Sequence, residues 1–234
     1  MSLGRVMRTE FKYLLTREKY FELKDLFQFI FRADKFSRYG AYPVTTVYFD
    51  TPTLNFFYDK VNGEYTHKKA RLRTYGESMF DGPTYFEYKI KNNENQFKKR
   101  FRIEERADYY SIIPMVKSKD DDFLINLPED NLIPVSCVKY YREAYYYGHG
   151  DDEVRLNFDL DISTSEVGEN PSFENLVFPE KAVILEVKSP KRFIDEKLKR
   201  LLAASQAHRT TFSKYATGIN IISSTYRMET PNEF

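Results

Sequence analysis

Six stretches of the chain place charged residues at alternate positions. Arg8, Glu10 and Lys12 share one parity in RTEFK, and Lys69, Arg71 and Arg73 do so in HKKARLRTYG. Glu87, Lys89 and Lys91 follow in YFEYKIKN, then Lys98, Arg100, Arg102 and Glu104 in KKRFRIEE. Arg155, Asn157, Asp159 and Asp161 alternate in EVRLNFDLDI, and Glu186 with Lys188 in AVILEVKSP. Arg and Lys converging from facing strands suit a polyanion that is dense in charge and poor in shape, such as a triphosphate or polyphosphate. Arg can meet phosphate oxygens bidentately, and Lys serves as a point charge. The interspersed carboxylates have two possible tasks. They can hold the basic side chains in fixed rotamers, or hold a divalent cation that bridges phosphate oxygens.

Period-two alternation sorts a β-strand into two faces. The positions between the charges carry Phe11, Leu72, Phe86, Tyr88, Ile90, Phe101, Ile103, Leu156, Phe158, Leu160, Leu185 and Val187. An antiparallel sheet with one face in water would read this way. A closed or nearly closed barrel would too, with a charged interior and an outer wall packed against helices. The second reading is the more economical, because nearly every position on the polar face is fully charged rather than Ser, Thr or Gln.

The strands at RTEFKYLL, VTTVYFDTP, HKKARLRTYG, YFEYKIKN, KKRFRIEE, KYYREAYYY, EVRLNFDLDI and AVILEVKSP number about eight, divided by DGP, NNEN and GHGDD turns. Thr16 is a helix N-cap, followed by Tyr20, Leu23, Phe27 and Ile30 at helical spacing. A second helical pattern begins at Lys191 with Ile194, Leu198, Leu201 and Leu202, and TTFSKYATGI reads as a short helix after it. Pro114 to Pro134 reads as a connection with some helix, and the residues after about Ser223 as a frayed tail. The expected architecture is one α+β domain over 1–234, with its core at about 8–220. It is a closed antiparallel barrel of about eight strands forming a charged tunnel, with helices from both ends of the chain packed outside.

Composition narrows the classes. A formal net charge of +1 leaves no bulk field to recruit nucleic acid or an anionic membrane, so an electropositive site must be local. The basic strand residues are interleaved with Glu and Asp and offer no aromatic pair of the RNA-binding kind, so no nucleic-acid partner is expected. With 41% hydrophobic and 30% charged residues the chain is neither disordered nor a membrane protein. No apolar run approaches the roughly 20 residues that span a bilayer, and MSLGRVM is too short for a signal peptide. Cys137 is the single cysteine, which points to a reducing, cytoplasmic setting. His67, His149 and His208 do not stand at zinc-ligand spacing.

In order along the chain, RTEFKYLL, TVYFDTP, RLRTYG, FEYKIK, KKRFRI, YYREAY, VRLNFD, ILEVK and TFSKYATGI resemble the VTC (vacuolar transporter chaperone) domain of polyphosphate polymerases. That domain is a branch of the triphosphate tunnel metalloenzymes, or CYTH superfamily, and the similarity runs from Arg8 to about Ile219. Triphosphatase branches typically begin Glu-x-Glu-x-Lys, whereas Arg8 stands at the first Glu position here. The resemblance implies that Lys12, Arg71, Arg73, Lys89, Lys98, Arg142, Arg155 and Lys188 line the tunnel and contact phosphates, joined by Arg100 and with Arg8 extending the basic lining. It implies Glu186 as the ligand of a Mn²⁺ or Mg²⁺ ion, and Ser213 and Lys214 as contacts to nucleotide-derived phosphates. Two residues also have structural readings: Ser213 as a helix cap, and Glu186 as a salt bridge to Lys188. Some relatives carry a lysine where this chain has Thr211, a loss that Arg209 could offset.

The activity so implied is polyphosphate polymerase: a metal-dependent phosphotransferase that moves the terminal phosphoryl group of ATP to a growing inorganic polyphosphate chain. The expected partners are ATP and polyphosphate, in a free-standing cytoplasmic domain that could deliver product to a membrane partner. One alternative is an inorganic or nucleoside triphosphatase with water as acceptor. Another is a non-enzymatic polyphosphate-binding module.

Overall fold

The computed structural model describes residues 9–37, 40–92, 95–119, 131–168, 174–175 and 182–229. Its elements in chain order are β1 (Thr9–Leu15), α1 (Arg17–Ile30), β2 (Arg32–Ala33), β3 (Tyr42–Asp50), α2 (Asn55–Asn62), β4 (Thr66–Thr74), β5 (Thr84–Asn92) and β6 (Asn95–Ile103). There follow α3 (Tyr109–Lys119), β7 (Ile133–Tyr147), a 3-10 turn (Gly150–Asp152), β8 (Val154–Ser165), β9 (Glu174–Asn175), β10 (Val183–Ser189), α4 (Glu196–Ala204), β11 (His208–Arg209) and α5 (Lys214–Glu229). Two compact units share these elements. The first draws on Met1–Tyr42, Tyr140–Ile162 and Val177–Phe212, the second on Pro43–Lys139, Ser163–Leu176 and Ser213–Phe234.

In the first unit the strand order is β11-β1-β10-β8-β7, with β2 added to β7. The pairs β1–β10, β10–β8 and β1–β11 are antiparallel. Phe11 and Leu15 from β1, Leu156, Phe158 and Leu160 from β8, and Val183, Leu185 and Val187 from β10 form one buried apolar layer. Tyr20, Leu23 and Phe27 of α1 and Leu198 and Leu202 of α4 close over it. Helix α1 starts where expected, because Thr16 Oγ1 accepts a hydrogen bond from the Lys19 amide at 3.2 Å. Helix α4 begins later than its periodicity suggested. Asp195 is its cap, its carboxylate accepting from the Leu198 amide at 2.9 Å.

In the second unit the order is β7-β3-β4-β5-β6, and β9 pairs with β8. Helix α2 had no counterpart in the sequence reading. Buried Asp50 holds its start: Oδ1 accepts from the Phe56 amide and Oδ2 from the Phe57 amide, both at 2.9 Å. A carboxylate there meets both unpaired N–H groups and the positive end of the helix dipole. The Tyr215 hydroxyl donates to the same Asp50 carboxylate, which joins α5 to the start of α2. Burial and then Asp50 push the Tyr215 phenol upward, so it remains a donor. Helix α5 runs to Glu229, so the residues from 224 to 229 are helical where a frayed tail was expected. Helix α3 runs through Pro114 to Lys119, the helix expected in this connection, and Asp120 to Asp122 lie outside the described residues.

The α+β class and the antiparallel pairing agree with the expectation. The closed barrel of about eight strands does not. The eight long strands are joined by the two-residue strands β2, β9 and β11, making eleven, and the sheet is not closed. Among the described residues β11 and β6 are terminal strands. Strand β6 carries Lys98, Lys99, Arg100 and Arg102, and charge of this density on an edge strand discourages further pairing. Among the described residues no helix is long and apolar enough to cross a membrane.

Candidate functional site

Opposite the apolar layer of the first unit, strand register assembles the charged positions into rows. Lys12 faces Glu186, which faces Asn157; one step along, Glu10 faces Lys188, which faces Arg155. Lys188 Nζ lies 3.3 Å from Glu186 Oε1. Arg142 of β7 grips buried Asp159 bidentately, with Nε at 2.6 Å and Nη2 at 2.8 Å, and Nη2 also reaches Glu186 Oε2 at 3.4 Å. Lys12 Nζ donates to the Phe212 carbonyl at 2.9 Å and lies 3.5 Å from Glu10. Arg155 donates from Nε to Asn157 Oδ1 at 3.2 Å and reaches Asp34 at 3.5 Å. The buried Asn157 Nδ2 has no hydrogen-bond partner among the described residues. Burial alone would raise the Glu186 carboxyl. Lys188, Arg142 and Lys12 together hold it well below the usual carboxylate range.

The second unit carries a larger grid on β4, β5 and β6. Register sets Lys69 beside Lys89 and Lys98, Arg71 beside Glu87 and Arg100, and Arg73 beside Tyr85 and Arg102. Glu87, at the centre and only 4% exposed, is the hub. Arg71 Nη2 lies 2.6 Å from Glu87 Oε2 and Arg73 Nη1 lies 3.8 Å from it; Lys98 Nζ and Arg100 Nε stand 3.6 and 3.5 Å from Oε1. Burial would raise this carboxyl too, and Arg71, Arg73 and Lys98 pull it far down instead. Glu87 therefore stays ionised and fixes the planes of the guanidinium groups around it. The row Lys69–Lys89–Lys98 sets like charges directly across two strand pairs, and Lys98 is also held 3.6 Å from Glu87.

Each unit thus gathers cations around a buried glutamate. Lys12, Arg142, Arg155, Lys188 and Glu186 come together in the first unit. Arg71, Arg73, Lys89, Lys98 and Arg100 share one face in the second. Arg8 lies outside the described residues. Ser213 is buried, and its hydroxyl accepts from the Ala216 amide at 3.4 Å, the geometry of the helix-cap reading, next to half-buried Lys214. Arg209 does not stand in for a lysine at Thr211. It pairs with Tyr13, so it points to the Phe11 side of β1, where its guanidinium lies 5.3 Å from the Phe11 ring, away from the Lys12 side. Sequence reasoning gave no particular role to Asp159, Asp34 or Tyr85. The first and last share the parity of their charged neighbours, and Asp34 in a loop carries no such signal. Among the described residues no set of three or more His, Cys, Asp or Glu side chains is gathered for a metal. Cys137 is buried, and burial pushes its thiol up to about 11, so it is not a nucleophile at neutral pH.

The depressed carboxyls make acid sensitivity predictable. Above about pH 5 both are ionised whether the chain is folded or unfolded, and their stabilisation is fully present. Below the ordinary value of 4.5 the unfolded chain takes up protons that folded Glu87 and Glu186 refuse. Stability should then fall by about 1.4 kcal/mol per pH unit for each group. Urea titrations between pH 6 and 3 should show this slope, and Glu87→Gln should flatten it; an unchanged slope would refute the assignment.

Residues 7–223 match the VTC domain family. No curated protein matches the chain. Among solved structures the chain resembles a putative adenylyl cyclase from Hippeastrum, HpAC1, described as having a dominant triphosphatase activity. The TM-score is 0.57 at 13% identity, over 92% of this chain and 97% of that one. A chain of the Schizosaccharomyces pombe Mediator head module aligns with TM-score 0.43 and 11% identity, over 85% of this chain and 89% of that one. The match over 7–223 takes in both cation clusters, and on it the chain belongs to the VTC domain family.

Proposed function

We propose that the protein is a polyphosphate polymerase that transfers the terminal phosphoryl group of ATP to a growing polyphosphate chain. The observation that carries this reading is the gathering of cations around one buried glutamate in each unit. Such an arrangement presents cations fixed in place and suited to phosphate oxygens. Phosphoryl transfer asks a protein chiefly for alignment and for neutralisation of equatorial charge. Arg71 and Arg73, with their planes set by Glu87, offer fork-shaped donors to phosphate oxygens, and Lys89 and Lys98 add point charges. Arg142, Arg155, Lys188 and Lys12 do the same in the first unit, and Lys214, at the start of α5, adds a cation to the second. The attacking oxygen of an acceptor phosphate is already anionic near neutral pH, so the reaction requires no His or Cys base.

A divalent cation fits the first unit in a limited way. Glu186 is the carboxylate at the centre of the cluster, and Glu10, paired across from Lys188 and 3.5 Å from Lys12, lies on the adjacent strand. Two carboxylates are the usual protein share for Mg²⁺ or Mn²⁺, with phosphate oxygens and water supplying the rest. When bound, the ion would offset charge on the donor phosphates.

Incubating the purified chain with ATP and Mn²⁺, with and without a short polyphosphate primer, tests this reading. Acid-stable polymer rising in step with ADP is the expected result. Free phosphate without polymer would make the protein a triphosphatase, the activity described for the Hippeastrum structure. Tight polyphosphate binding with neither product would leave a binding module.

A further inference from the structure

The grid of the second unit has two unlike ends. Lys89 lies four positions beyond Tyr85 on β5, a run of roughly 13 Å at the usual strand rise. Along it the rows change from three lysines, to Arg71–Glu87–Arg100, to Arg73–Tyr85–Arg102. Tyr85 is the uncharged member of the grid, flanked by two arginines where a face built only for polyanions would carry a further cation.

Arg100 does not simply point at the phosphate-binding rows. Its guanidinium carbon lies 3.6 Å from the centroid of the Tyr85 ring, the separation of two stacked planes. Its plane is fixed on other sides by the Tyr75 hydroxyl, which accepts from Nη2 at 3.3 Å, and by Glu87 at 3.5 Å from Nε. The side chain remains 40% exposed. Tyr75 continues the parity of Arg71 and Arg73, and its ring meets Tyr85 edge-on at 6.3 Å. The turn behind it leaves no freedom. A Cβ on Gly82 would fall 2.2 Å from the Tyr75 carbonyl oxygen, so only glycine lets Tyr75 sit where it does.

We propose that Arg100, stacked on Tyr85 and held by Tyr75, is a platform for the base of a donor nucleotide whose phosphates extend toward Arg71, Glu87 and the lysine row. A guanidinium with one face on an aromatic ring and its plane held by two partners presents a flat, cationic surface on which a nucleobase stacks. The proposal rests on the phosphate-binding reading above and adds to it a reason for a nucleoside triphosphate rather than a bare triphosphate. Stacking reads the flat face of a base and not its edge, so ATP and GTP should bind alike.

Dissociation constants for ATP and for inorganic tripolyphosphate, measured side by side, provide the test. The quantity read is the ratio of the two. Tyr85→Leu should weaken ATP by about tenfold more than tripolyphosphate, the usual effect of losing one stacked base. Tyr85→Phe, which keeps the ring, should hold the wild-type ratio. Arg100→Lys preserves charge at an exposed position and loses the plane, so it should shift the ratio in the same direction even if Tyr85→Leu folds poorly. Equal weakening of both ligands, or an unmoved ratio, would reduce Arg100 to one more phosphate contact and overturn the platform. If the wild-type chain does not bind tripolyphosphate at all, the phosphate-binding reading itself fails, and the platform with it.

Discussion

Arg142→Ala should cost the protein about 3–5 kcal/mol of stability, the effect of breaking a buried pair from one side. Both anchors of Arg142 are deep: Asp159 is fully buried, and Glu186 is 8% exposed. The guanidinium meets Asp159 with two short bonds and reaches Glu186 with a third. Truncation takes the bidentate partner from a carboxylate that cannot reach water. For a chain of this size the loss corresponds to a fall in melting temperature of about 10 °C. The control is the double substitution Arg142→Met with Asp159→Leu, which removes both charges and keeps the volume. It should recover much of the loss, because an apolar pair avoids the desolvation that the ion pair must offset. A single variant that melts within a degree of wild type would show that this pair does not support the first unit.

Glu186→Gln should lower stability no more than the acid titration predicts, and its larger effect should fall on activity. The amide keeps the volume and an acceptor for Arg142 Nη2, while Asp159 continues to hold that guanidinium. Lys188 and Lys12, each about a third exposed or less at the side chain, can turn toward water. What is lost is the negative charge that gathers three cations and that would hold a divalent ion. ATP-dependent polymer formation should fall by about a hundredfold or more, since metal and charge stabilisation of phosphoryl transfer contributes several kcal/mol. The Mn²⁺ concentration giving half-maximal rate should rise in parallel. Polymer made at the wild-type rate at ordinary Mn²⁺ would remove Glu186 from the chemistry and leave it as a structural hub, the counterpart of Glu87.

The two variants separate roles that look alike on paper, where Arg142, Glu186, Arg71 and Glu87 are all charged residues in alternating strands. The faces were legible because strand periodicity is local: Phe11 and Lys12 must point to opposite sides whatever the rest of the chain does. The start of α1 was legible for the same reason, since Thr16 and Lys19 are three residues apart. Helix α2 was not, because the group that caps it is Asp50, placed before two turn residues and held in turn by Tyr215. The missed closure has a similar origin, as alternation in β6 says nothing about whether that strand finds a partner on its far side.

Residue types and parity, read along the chain, were enough to separate a charged face from an apolar face and to make a polyanion the expected ligand. Register decided the rest. Only when β5 pairs with β4 and β6 does Glu87 become the centre of its grid and Tyr85 the stacking surface at its end. Only when β1, β10 and β8 align does Glu186 stand between Lys12 and Asn157. Lys12 Nζ finds its carbonyl 200 residues away at Phe212. Hydrogen bonds between distant segments select one alignment among many that the same alternation allows, and a shift of a single residue would turn every charge to the other face.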